Sequence, residues 1–548
     1  MLLEFVHDPI ARQLGRFLDR FCTEHETNDI GNVLMNSVMR SAILTLLAIL
    51  IQDSVTLGSD YEIAFSTMLG GSNWEHARDV CVDSRGDVYV VGGTQSNDFP
   101  TTDGALRRRQ DKSGKRIGSG GYCDAFVCKF SRSGKLLWST LLGGPNYDRA
   151  YAVEVDSSGH VYVSGRGGPG FPVTSGAFQA KFQGTDNGIY GMQNGFVAKL
   201  KPDGTALDWA SYVGVGQLCR DLSIDAEGDV YVALHYTGKG PLPPSNWFAG
   251  AYQEKPAGGV EIGAVKIAND GQRVLWATWL GGSDDEVPNC GLRLGPDRSV
   301  YLNFTTKSSD VPTTSGAHDQ THNGNTDAFV ARLAPDGSRL IFGTYFGGAA
   351  MEWGNSTHNM AVDSAGNAYL VNATKGTDMP VTDGVFQSTL AGEVDVVATK
   401  FSPSGSLLHC TYIGGKLQDG ADGVNVSESG ELVFTGTTSS IDFPISSNAI
   451  QSSRSEQNDA IAVVLAADFS ELSFSSYLGG RSYDDGRSCF IDDVSNIYIV
   501  GSTNGPGWPT VDAHQPNFAG GGGGKELCYE GGCYAGDVIL TKIKKSSR

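Results

Sequence analysis

Apolar and polar positions alternate in short runs along most of this chain, and the runs come in a fixed order. Ala152-Val-Glu-Val155 alternates and ends at Asp156-Ser-Ser-Gly159; Val161-Tyr-Val163 follows, then a long loop through Phe171-Pro172 to Gly176-Ala-Phe-Gln179. Gly195-Phe-Val-Ala-Lys-Leu200, a turn at Pro202-Asp-Gly204 and Leu207-Asp-Trp-Ala-Ser-Tyr212 complete the unit. Period-two alternation, β-branched and aromatic residues and glycine-bearing turns predict four short antiparallel strands, labelled A to D in that order. Strand D ends before Gly-Gly, or Gly-Val in one unit, after Leu69, Leu142, Val213, Leu280, Phe346, Ile413 and Leu478, a period of about 65 to 73 residues.

A four-stranded unit of this size cannot bury both faces, so the units must pack on one another. The predicted fold is all-β: residues 59–548 form a single seven-bladed β-propeller of four-stranded antiparallel blades. The phase of the repeat adds a sharper expectation. The chain opens with a lone strand D at 64–69 and closes with a strand C at 538–543. These two should pair and close the ring, leaving no open sheet edge between the ends.

Four motifs stand out: Phe65-Ser-Thr-Met-Leu-Gly-Gly71, Val153-Glu-Val-Asp-Ser-Ser-Gly159, Asp98-Phe-Pro-Thr-Thr102 and Asp327-Ala-Phe-Val330. Echoes of each run around the chain after about residue 62, and together they resemble the seven-bladed β-propeller (SBBP) repeat proteins of bacteria. The resemblance implies the fold and, as in many members, a secreted or surface location. It implies no general biochemical activity. The third unit departs most, with Val215 in place of the second glycine and Pro241-Leu-Pro-Pro244 in place of the Asp-Phe-Pro loop.

Composition adjusts this picture in two places. The 73 glycines are roughly twice the usual share, and they sit mostly at the recurring turns. A net charge of −20, from 41 basic and 61 acidic residues, excludes nucleic acid or an anionic membrane surface as the main partner. At the N-terminus, residues 1–58 form an extension in which Arg40 precedes an uncharged apolar run, 41–51. Its length suits a secretory signal and is too short to span a bilayer. Translation from Met35 or Met39 would leave a conventional signal peptide; a retained anchor and a short capping helix are the alternatives. The expected location is extracellular or cell-surface, with membrane contact only through that segment, and the expected state is a monomer.

Ten cysteines are compatible with export without demanding it. Cys81, Cys128, Cys410 and Cys489 fall within strands and read as buried thiols. Among Cys123, Cys528 and Cys533 a disulfide is expected, Cys528–Cys533 being the simplest pairing.

Antiparallel order places the long B–C loops and the D–A connections on one face, and binding surfaces on rigid scaffolds concentrate on such loops. Four residues after the second glycine stand Glu75, Asp148, Cys219, Glu286, Glu352, Asp419 and Asp484. Six carboxylates at one equivalent spot before strand A could ring the channel mouth, flanked by Trp74, Tyr147, Arg149, Trp353, Tyr483 and Arg487. Such a ring would suit a cation such as Ca²⁺, or a sugar on aromatic platforms. Alternatively, each carboxylate accepts backbone N–H bonds and holds its own connection. His318 occupies a packing slot shared with Phe178 and Phe386, and Gly520–Gly524 with Lys525 lacks the residues of a phosphate loop. No Ser/His/Asp or Cys/His set has a spacing that supports catalysis. The leading expectation is therefore an exported, non-catalytic scaffold with no cofactor, presenting its loop face to a protein or glycan. A polysaccharide lyase or hydrolase using carboxylates such as Glu286 and Glu352, or a purely structural surface module, are the alternatives.

Overall fold

The computed structural model describes residues 61–546 apart from 116–117, 354–357, 521–527, 530–531 and 534–535. The apolar run 41–51 lies outside the described residues, as do the side chains of Trp353, Cys528 and Cys533. Residues 59–548 form one compact unit. Among the described residues no helix is long and apolar enough to cross a membrane.

Seven four-stranded antiparallel blades make the ring, each running A, B, C, D from its inner edge outward. The first is Glu75–Val82, Val88–Thr94, Asp124–Phe130 and Leu136–Leu142. The last takes Asp484–Ile491, Ile497–Thr503 and Asp537–Lys545 from the C-terminal end of the chain, and Tyr61–Leu69 from the beginning of the propeller. The closing ladder runs from Phe65 opposite Lys542 to Leu69 opposite Val538, the pairing that the phase of the repeat predicts. Ser66 Oγ lies 2.8 Å from Thr541 Oγ1, and Trp508 Nε1 donates to Ser66 Oγ at 2.9 Å, so the final B–C loop straps the outside of the closing strand.

The A–B hairpins show why the Asp-x-x-Gly pattern recurs. Asp83 accepts from the backbone N–H groups of Arg85 and Asp87 and from the Tyr89 hydroxyl. Gly86 supplies the left-handed turn at φ 81°. Lys129 of strand C sits 4.9 Å from the Tyr89 ring and bridges Asp83 and Asp87. The A–B turns that open at Asp156, Asp225, Asp363 and Asp492 repeat the Asp–Tyr contact. The apolar core lies between blades: Cys81, Tyr89, Ala125 and Val127 pack with Val153, Val163 and Phe196 of the next blade.

Strand A is interrupted. Its pairing with strand B shifts register between Ala77 and Asp79, Ala150 and Ala152, Val287 and Cys290, Ala421 and Gly423, and Gly486 and Ser488. Such bulges turn a side chain out of the ladder. Here they carry Arg78, Tyr151, Asp422 and Arg487 at the inner edge of the blades, where strand A meets its counterparts across the axis.

Candidate functional site

The six aligned carboxylates are 0–1 % exposed. Each accepts a bond within its own blade-to-blade connection. The second glycine donates to Glu75 at 2.9 Å, to Asp148 at 2.6 Å, to Glu286 at 3.3 Å, and to Asp419 and Asp484 at 2.7 Å. Gly348 does the same for Glu352. The last residue of strand B adds a hydroxyl: Thr306 to Glu286, Thr374 to Glu352 and Thr438 to Asp419. The backbone-holding alternative thus describes their geometry.

A second carboxylate, unremarked in the alignment of connections, opens strand C: Asp124, Glu261, Asp327, Asp395, Asp459 and Asp537. The first glycine of each pair lies between the two acids. A β-carbon at Gly347 would stand 2.6 Å from Glu352 Oε2 and 3.0 Å from Asp327 Oδ1; at Gly281 it would stand 2.4 Å from Glu286 Oε2 and 2.7 Å from Glu261 Oε1. This close approach is why the position is glycine. Burial pushes Glu75 up to about 8 and Asp148, Glu286, Glu352 and Asp484 up to about 7, with the facing acid adding to the rise at Glu75, Glu286, Glu352 and Asp484. In the third blade Cys219 cannot accept as they do. Facing it, Asn194 of the second blade replaces the strand-C acid, and its Nδ2 donates to the carbonyls of Val213, Gly214 and Gly216 at 3.2 Å each. Among the described residues no group of three or more His, Cys, Asp or Glu side chains is placed to hold a metal ion.

Trp74 and Tyr147 are buried, and Tyr483 is half-buried. The first two lie beside a cluster that spacing did not single out. Four guanidinium groups surround the Tyr151 ring: Arg78, Arg149 and Arg220 at 5.0 Å and Arg166 at 5.3 Å from its centroid. They come from three adjacent blades. Arg149 and Arg166 stand directly opposite each other across a strand pair, a like-charge contact that costs stability unless something lies between them. Tyr190, from the long loop of the second blade, covers the group, 4.6 Å from the Tyr147 ring and 4.3 Å from Arg166. Arg149 also reaches the Tyr147 hydroxyl at 3.2 Å and lies 5.8 Å from the Trp74 ring.

None of the four arginines is paired with a carboxylate among the described residues; Arg293 and Arg487 hold the channel's ion pairs instead. Among the described residues, buried Nε atoms of all four, Nη1 of Arg166 and both ring nitrogens of His235 have no hydrogen-bond partner. Tyr151 responds to these neighbours. Burial would raise its hydroxyl, but Arg149, Arg166 and Arg220 overcome this and pull it down to about 7. His235 is held down to about 3 by burial and by Arg220 and Arg166.

Deeper in the channel the charges are paired. His358 donates through Nε2 to the Tyr151 carbonyl at 2.8 Å, and its Nδ1 lies 3.4 Å from Asp221. Arg293 Nη1 donates to Asp221 Oδ2 at 2.6 Å. Asp79 accepts from Val153 N and Ser488 Oγ, both at 2.8 Å. Burial alone would lower His358; Asp79 and Asp221 hold it above its ordinary value.

Cys81, Cys123, Cys128, Cys219, Cys290, Cys410 and Cys489 are buried free thiols, so Cys123 takes no part in a disulfide. The backbone sets Cys528 directly opposite Cys533 in a short ladder. His318 packs near Phe346 and Phe401, as its slot predicts.

Residues 474–507 match the family model of the SBBP beta-propeller repeat. No curated protein matches the chain. Among solved structures, the WD40 β-propeller domain of Doa1 is similar at 10% identity, covering 89% of this chain and 98% of that one, with a TM-score of 0.40. A protein of unknown function from Dyadobacter fermentans is similar at 10% identity, with 89% and 100% covered and a TM-score of 0.38. Polysaccharide lyase Uly1 is similar at 7% identity, with 89% and 98% covered and a TM-score of 0.43. Likeness at this level carries no functional information. Four-stranded blades, the closing ladder and the matched repeat agree with one another: this chain is a seven-bladed β-propeller that carries the SBBP beta-propeller repeat.

Proposed function

We propose that this protein is a non-catalytic binding propeller that receives its ligand at the loop-face end of the channel, between the first three blades. One observation carries the reading. The deep channel pairs its charges, whereas the mouth leaves buried N–H donors on four arginines and His235 without partners. Buried donors left unpaired cost stability, and a site that a ligand completes recovers that cost on binding. A lyase or hydrolase built on Glu286 and Glu352 would need a carboxylate able to meet substrate, and both are buried and bonded to glycine and threonine of their own connections.

On this reading the chain works outside the cytoplasm, with the apolar run 41–51 directing export; fractionation of cells expressing the full chain checks that part. Binding is checked by thermal-shift screening of the full chain against neutral and charged sugars and small metabolites. A hit should disappear in Arg166→Gln. Hits that persist in Arg166→Gln would move the binding site elsewhere on the loop face.

A further inference from the structure

The donors at the mouth define what completes it. A guanidinium presents N–H groups in a planar fork that matches the oxygens of a carboxylate, sulfate or phosphate. Four of them share one small volume without a carboxylate partner among the described residues, and buried like charges of this kind call for an anion. The chain as a whole is strongly acidic, with a net charge of −20. A long polyanion is repelled by that surroundings, while a compact anion reaches the cluster.

Within the protein, the group placed to neutralise the cluster is the Tyr151 hydroxyl. Arg149 and Arg166 lie 5.0 and 5.3 Å from its ring centroid and both favour its ionised form. Arg78 approaches from the first blade and Arg220 from the third. Tyr147 lies on the same connection, and Tyr190 covers Arg166 from above. His76 and His235 stand at the rim, both held neutral by burial and by arginines. Cys290 of the fourth blade faces Arg220, and His358 bonds the Tyr151 backbone carbonyl from below. Asp485 and Asp422 are engaged by Arg487.

We propose that the channel mouth binds a compact oxyanion between Arg149, Arg166 and Arg220, and that the bound anion replaces the charge of the Tyr151 phenolate. This rests on the mouth being the ligand end. The exchange balances simply: the phenolate oxygen takes one proton from solvent, the anion enters with its charge, and no covalent bond to the ligand forms. Binding and proton uptake are then linked, as two anions compete for one set of cations.

The test uses the full chain in chloride-free buffer at constant ionic strength, titrated calorimetrically with sodium phosphate, sodium sulfate and sodium glucuronate in separate arms. The arms identify which oxyanion the mouth prefers. One-to-one binding is expected, weakening about tenfold per pH unit above pH 7, with loss of phenolate absorbance near 295 nm on saturation. Tyr151→Phe should still bind, without the pH dependence or the absorbance change. Arg166→Gln should lose binding, with Arg166→Lys as a second variant that keeps the charge and removes the fork. Failure of all three anions overturns the inference; if a neutral sugar then binds and depends on Arg166, the mouth remains the ligand end. Anion binding without proton uptake overturns the exchange at Tyr151. Binding unchanged in both Arg166 variants overturns the site.

Discussion

The channel lining has two adjacent layers with opposite electrostatic habits, a mouth and a floor just below it, since Asp79 and Asp221 directly follow Arg78 and Arg220 in the chain. At the floor, His358 and Arg293 meet Asp79 and Asp221, and each charge has a partner. At the mouth, four arginines gather around one tyrosine with unpartnered nitrogens. A propeller needs its inner strands held together, and the floor does that across the first five blades. The mouth sets repulsion among its arginines against their contacts with the Tyr151 and Tyr190 rings. Positions that weaken a fold are expected where something other than folding decides the residue.

Removing one partner at the floor should give the largest effect. Asp221→Asn leaves Arg293 and His358 buried with one carboxylate fewer, and urea unfolding should show a loss of about 3–5 kcal/mol. A loss below about 1 kcal/mol would mean that the floor pairs contribute no more than surface ones.

The two layers also differ in the sign of their pH dependence. Tyr151 is an acid held below its ordinary value, so its contribution is present at high pH and fades as pH falls through about 7. The stability gap between the wild type and Tyr151→Phe should therefore widen by about 2–4 kcal/mol from pH 7 to pH 10. A gap that stays constant would show that the arginines do not favour the phenolate.

His358 runs the other way. Its value in the fold lies above the ordinary one, so its contribution is full below the usual histidine range and is lost as pH rises through the raised value. Glu75 at about 8, and Asp148, Glu286, Glu352 and Asp484 at about 7, have the same sign: folding favours their protonated forms. Melting temperature in weakly buffered solution should accordingly fall by several degrees between pH 5 and pH 8.5. A rise over that interval would break this side of the comparison.

The smallest effect belongs to the mouth. Arg166→Gln removes a like-charge contact with Arg149, so its unfolding free energy should stay within about 1 kcal/mol of wild type, on either side. Loss on the scale of Asp221→Asn would make Arg166 a structural residue.

The blade pattern was legible because it depends on local chemistry. Asp83, Gly86 and Tyr89 build a hairpin from contacts within a few residues, and any chain with that spacing will tend to turn there. The same holds for the ring closure, since the count of strands leaves Tyr61–Leu69 without a blade of its own. The six carboxylates were found by alignment, but their role was not: the acids that face them come from strand C, 24 or 25 residues away in the sequence or, for Asp537, at the other end of the chain. Repetition also worked against recognition of the mouth. Arg78 and Tyr151 share one position of the repeat and Arg149 and Arg220 another, but the residue type at both positions changes from blade to blade, so an alignment on constant residues sets them aside as variation. The usable signal was arginines at or just before strand A of three adjacent blades, Arg78 at a bulge and Arg149 and Arg220 one residue after the aligned position.

Sequence by itself determined the number of blades, the strand order, the turns and the joining of the ends, because these follow from short-range patterns repeated seven times. The tertiary structure decided what the glycines are for and where charge collects. Both depend on distances between residues of different strands and blades: two acids close over one glycine, and four arginines meet around one tyrosine only once the ring has closed.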